Sequence, residues 1–104
     1  MKLDVEGQRT IEEPEDHEIQ SAVTQLSLPN RTFLILSRSA TSYLQAALVG
    51  SDRLLLEYRD GSADKHFRSA REDYSAREVV EIFEAYRRGE DSWWNEKDWR
   101  RIKV

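Results

Sequence analysis

The 104-residue chain offers twenty acidic residues and two histidines for proton transfer or metal binding. Asp60-Gly61 stands between two strand-like runs, Arg53 to Arg59 and Ala63 to Ser69. Asp-Gly supplies the positive φ angles of a tight hairpin turn. With a two-residue turn, Arg59 pairs with Ser62, Glu57 with Asp64 and Leu55 with His66. Glu57, Asp64 and His66 then share one face of the hairpin, opposite Leu54, Leu56, Tyr58 and Phe67. A histidine beside two carboxylates is material for acid–base chemistry or for a fragment of a metal site. Two facing acids repel each other, however, and one histidine is too few for most zinc sites. The trio therefore reads as an exposed sheet face of mixed charge.

The remaining candidates read the same way. His17 stands among acids at a helix start, where a solvated imidazole is the ordinary outcome. The hydroxyl-rich run Ser37 to Ser42 has no glycine, no Lys-Ser/Thr pair and no G-x-S-x-G elbow, so it reads as a polar turn. Glu12 and Glu13 lie in a charged arm, away from any apolar pocket that would raise a carboxyl pKa for acid catalysis. There is no cysteine, which removes thiolate ligands, thiol nucleophiles and disulfides and fits a reducing cytoplasm. No catalytic residue, cofactor-binding residue or metal ligand is assigned, and no cofactor is expected.

Binding is the chemistry that remains. Residues 1–18 carry seven acids against Lys2 and Arg9, a net charge of −5, while the whole chain is at −4. Such an end repels phosphate backbones and attracts a basic protein. Glu12, Glu13, Glu15 and Glu18 are the candidate contacts there. Trp94 is the candidate aromatic anchor, because tryptophan is enriched at binding hot spots and adjacent Trp93 and Trp94 point different ways on an extended chain. The partner expected is a protein, not nucleic acid and not a membrane. The opening is too charged for a signal peptide, and Tyr43 to Val49 is far below the roughly 20 residues that span a bilayer.

The elements that position these residues follow from periodicity and turn signals. Residues 2–11 suit one short strand, weakened by Gly7. Glu13-Pro14-Glu15-Asp16 opens a helix whose buried stripe is Ile19, Ala22, Val23 and Leu26, and Pro29-Asn30 stops it. Strands are expected over Thr32–Ser37 and Ser42–Val49, followed by a turn at Gly50-Ser51-Asp52 and the hairpin. Ser75 and Glu78 form a capping box before Val79, Ile82, Phe83 and Tyr86, and Gly89 closes that helix. Residues 90–104 hold Trp93, Trp94 and Trp99, of which at least two are expected to close the core. The chain reads as one domain over 1–104, with 1–12 as an acidic strand or arm and 90–104 as a Trp-rich tail packed on the core. The class is α+β: a two-layer sandwich with four to five antiparallel strands and two helices on one face.

The helix pattern P-x-x-x-x-I-x-x-A-V-x-x-L from Pro14 to Leu26 is followed by Tyr43-Leu44-Gln45. Then come L-E-Y-R-D-G from Leu56 to Gly61, H-F-R from His66 to Arg68, and Y-x-x-G from Tyr86 to Gly89 ahead of spaced tryptophans. In these features the chain resembles small bacterial proteins similar to the immunity proteins that neutralise polymorphic toxins. The resemblance implies a cytoplasmic, non-enzymatic inhibitor that plugs a toxin's active site. The other reading is a small structural or regulatory interaction module.

Overall fold

A computed structural model describes residues 1–6, 9–27, 32–50 and 53–102. Gly7, the helix stop at Pro29-Asn30 and the turn residues Ser51 and Asp52 lie outside the described residues. Among the described residues, seven strands and two α-helices follow in the order β1 (Lys2–Val5), β2 (Arg9–Glu12), α1 (Asp16–Thr24), β3 (Phe33–Ser39), β4 (Ser42–Val49), β5 (Arg53–Asp60), β6 (His66–Ser69), α2 (Ala76–Arg87) and β7 (Trp99–Arg101). The strands form one antiparallel sheet with the order β2-β1-β3-β4-β5-β6-β7. The α+β class is as expected, but the sheet has seven strands where four to five were expected.

The two additional strands are the edges. The single first strand is in fact a hairpin, β1 pairing β2 from Lys2↔Glu12 to Val5↔Arg9. The chain turns away after Glu6, whose φ is +40. Glu6 is held there by hydrogen bonds from the Thr32 backbone N–H and hydroxyl, both 2.6 Å. At the other edge the tail adds β7 beside β6, from Phe67↔Arg101 to Ser69↔Trp99.

The hairpin β5–β6 exists, but its register differs from the one expected. Arg59 pairs with His66, Tyr58 with Phe67 and Glu57 with Arg68. Asp60 stays in β5 opposite Ser42, Gly61 takes the positive φ (+87), and a 3-10 turn over Ala63–Lys65 lengthens the loop. The displacement is four residues, an even number, so each side chain keeps its expected face.

Alternate residues build a core on one side of the sheet. Leu3, Leu34, Leu36, Leu44, Ala46 and Leu56 are fully buried and meet Ile19, Ala22, Val79 and Phe83 from the helices. Burial alternates along β3 and β4, as in a sheet covered on one face only. Helix α1 starts at Asp16: Glu15 is its N-cap, and Pro14, expected within the first turn, lies buried ahead of it. Helix α2 has the expected capping box, with Glu78 N–H donating to Ser75 Oγ and Ser75 N–H to Glu78 Oε1, both 3.1 Å. The Arg71 guanidinium beside Glu78 holds its carboxyl below the usual range. Gly89 (φ +77) ends the helix: its N–H donates to the Tyr86 carbonyl and that of Glu90 to the Ala85 carbonyl. No helix among the described residues is long and apolar enough to cross a membrane.

Among the described residues, one polar side chain lies in the core. Ser69, 3% exposed, accepts a hydrogen bond at Oγ from the Leu56 N–H (3.0 Å) and donates to the Arg71 carbonyl (2.8 Å). It thereby serves a strand amide beyond the end of the β5–β6 ladder. Ser69→Ala is expected to cost about 1–3 kcal/mol in urea unfolding, the penalty for a buried donor left without a partner. A loss under about 0.5 kcal/mol, the scale of an ordinary surface change, would show that the Leu56 amide finds another acceptor.

Candidate protein-binding face

The second face of the sheet is set by the same alternation. It presents Phe33 and Ile35 from β3, Tyr43, Gln45 and Ala47 from β4, and Leu55, Glu57 and Arg59 from β5. Strands β6 and β7 add His66, Arg68 and Arg100. Phe33, Ile35, Ala47 and Leu55 are half-buried and adjacent through Phe33↔Ala47 and Ala47↔Leu55. Both helices spend their buried stripes on the opposite side.

A polar cluster lies beside this apolar group. Register places Tyr43, Arg59 and His66 in one row, and Gln45, Glu57, Arg68 and Arg100 in the next. Glu57 Oε1 accepts from Arg68 Nη2 at 3.1 Å, and Glu57 Oε2 lies 3.6 Å from His66 Nε2. The Tyr43 and His66 rings meet edge to face at 6.1 Å. Glu57 and His66 are 20% and 16% exposed at their side chains, so they are more enclosed than a solvated face requires. Arg59 Nε and His66 Nε2 are buried without a hydrogen-bond partner among the described residues.

Two of the three expected cluster members are therefore together and the third is not. Asp64 lies in the lengthened turn, 89% exposed, 3.9 Å from Arg101. Arg68 takes the position opposite Glu57 that Asp64 was expected to hold, which replaces repulsion by an ion pair. Tyr43 and Arg68 went unnoticed in the sequence because only the cross-strand register brings them to His66, whereas Arg59 already shared the His66 face in the expected hairpin. Chemically, Glu57 and His66 could exchange a proton, but Arg68 occupies one oxygen of that carboxylate. No group of three or more potential ligands among the described residues could hold a metal ion.

The acids at the start of the chain are largely engaged by the fold. Glu13 pairs with the N-terminal amine at 2.6 Å, which holds its carboxyl below the usual range. Glu18 Oε1 accepts from the Glu15 N–H at 3.0 Å, and Glu15 lies 3.3 Å from His17. Asp16 meets Arg87 at 3.2 Å. Glu12 is exposed opposite Lys2 on the edge strand. Trp94 lies elsewhere, half-buried on the helix side, stacked on Trp99 at 5.3 Å and edge-on to Phe67 at 5.1 Å.

No family model, curated protein or solved structure matches the chain.

Proposed function

We propose that the protein is a non-catalytic protein-binding domain whose partner docks on the open face of the sheet. The observation that carries this reading is the pairing, on the face opposite both helices, of the half-buried group Phe33, Ile35 and Leu55 with a polar cluster in which Arg59 Nε has no hydrogen-bond partner among the described residues and His66 Nε2 has only the Glu57 carboxylate at 3.6 Å. Apolar area next to Tyr and Arg is the composition of binding hot spots, and buried donors gain most from a partner's acceptors. The face is polarised, net negative towards β1–β2, where Lys2 stands against Asp4 and Glu12, and net positive towards β5–β7, where Glu57 stands against Arg59, Arg68 and Arg100. A protein surface of the reverse polarity fits it. The net charge of −4 favours encounter with a basic partner. In a reducing cytoplasm, an inhibitor of a basic toxin is the specific form of this function.

Capture from the native cell tests it, with wild-type protein and the Leu55→Asp variant immobilised in parallel. A specific partner identified by mass spectrometry with wild type should bind the variant at least about tenfold more weakly, the effect of losing a contact worth about 1.4 kcal/mol. The variant's melting curve reports whether the fold survives. Equal binding of a folded variant would place the interface elsewhere. A captured enzyme left uninhibited at saturation would remove the inhibitor reading.

A further inference from the structure

The tail builds a second feature on the other side of the sheet. A cavity of about 370 Å³ opens between the β5–β6 turn and the segment after α2, walled by Tyr58, Phe67, Trp93 and Trp94 with Asp60 and Asp91 beside them. That volume is within the roughly 300–1,000 Å³ of small-ligand sites. Tyr58 and Phe67 are cross-strand partners, and both pack on the core side, so this cavity is separate from the Glu57–His66 face.

The rings hold one another in place. Trp93 stands edge-on to Tyr58 at 4.9 Å and Trp94 edge-on to Phe67 at 5.1 Å, while Trp93 and Trp94 are nearly perpendicular at 6.0 Å. The Trp93 indole N–H donates to the Glu90 carbonyl at 2.9 Å, and the Trp94 backbone N–H donates to the Asp91 carbonyl at 2.9 Å. The Schellman cap of α2 followed by this turn therefore places Asp91 next to both indoles. From the opposite wall, burial and then Asp60 push the Tyr58 hydroxyl pKa up, so the phenol stays neutral.

Aromatic faces carry negative potential, and the two carboxylates add to it. Lys65 also borders the cavity, so among its lining residues the acids exceed the bases by one, while the Arg38 guanidinium acts on Tyr58 from beyond the lining. The cation–π contacts within the described chain lie on other rings: Arg38 over Tyr86 at 4.2 Å and Arg71 over Tyr74 at 4.1 Å. An apolar wall of negative potential favours a cation that is itself coated with methyl groups. A bare ammonium would lose more hydration on entering.

We propose that this cavity is a binding site for a methylated ammonium cation, lined by Tyr58, Phe67, Trp93 and Trp94 and charge-matched by Asp60 and Asp91. The cation comes either as a free quaternary amine or as a methylated lysine side chain. The test titrates the full chain with choline, with trimethyllysine amide and with 3,3-dimethyl-1-butanol, following tryptophan fluorescence and calorimetry. The butanol has the shape of choline without its charge. Saturable one-to-one binding is expected for a cation, with the butanol weaker by roughly tenfold or more. Tighter binding of choline identifies a free amine, and tighter binding of trimethyllysine amide identifies a side chain; each supports the site. Asp60→Asn combined with Asp91→Asn should weaken the cation by roughly tenfold, with the melting temperature and the butanol titration unchanged. Equal binding of cation and butanol, no saturable response to either cation, or a double variant that binds the cation as wild type does, overturns the proposal.

Discussion

Ending the chain after Gly89 is expected to abolish cooperative unfolding. The deletion removes Trp99, 7% exposed in the core, and the half-buried pair Trp93 and Trp94 that packs against it. It also removes β7, which gives β6 its outer neighbour, together with the flanking Ala70 N–H to Asp98 carbonyl bond (2.7 Å) and Ile102 N–H to His66 carbonyl bond (2.8 Å). Loss of a buried tryptophan costs about 3–5 kcal/mol. The half-buried pair and the strand pairing add to that, against about 5–15 kcal/mol of total stability for a domain of this kind. The sum leaves little or no folded state. Tyr58 and Phe67 would lose the indoles that cover them, so exposed apolar surface should appear as dye binding alongside retained helix signal. Circular dichroism and a thermal scan decide the matter. A truncated chain with a sharp transition near that of wild type would show that the tryptophans lie on the domain without supporting it.

Phe83→Ala should destabilise the folded protein by about 3–5 kcal/mol. Phe83 is fully buried at the middle of the α2 stripe, where the helix meets the sheet. Its neighbours Val79 and Tyr86 are held by the same helix, and the backbone there is fixed by caps at both ends. The cavity therefore has little freedom to collapse, which puts the cost at the upper end of that range. At about 4–8 °C per kcal/mol, the melting temperature should fall by at least about 12 °C. Ile82, one position earlier and only half-buried, gives the comparison. Ile82→Ala should cost distinctly less in the same denaturant titration. Equal losses at the two positions would mean that the helix faces the sheet through a different stripe.

What the sequence determined by itself was what local chemistry controls. The α2 helix was legible from Ser75, Glu78 and Gly89, because caps are satisfied within four residues of the groups they serve. The apolar stripes and strand faces were legible because burial follows the helix and strand periods. Leu54, Leu56 and Phe67 therefore fell on the core side before any pairing was known. The tertiary structure alone decided the register of β5 on β6. A displacement of four residues preserves every side-chain face, so hydrophobic pattern cannot distinguish Arg59↔His66 from Arg59↔Ser62. That choice removed Asp64 from the cluster and put Arg68 in its place. The edge strands β2 and β7 were likewise invisible. Segments of four and three residues, Arg9–Glu12 and Trp99–Arg101, have too few turns of the pattern to signal a strand and gain their form from the neighbour they pair with. The gathering of Tyr58, Phe67, Trp93 and Trp94 around one cavity has the same origin. Residues 35 positions apart meet only when a helix has folded over the sheet and its cap has turned the chain back.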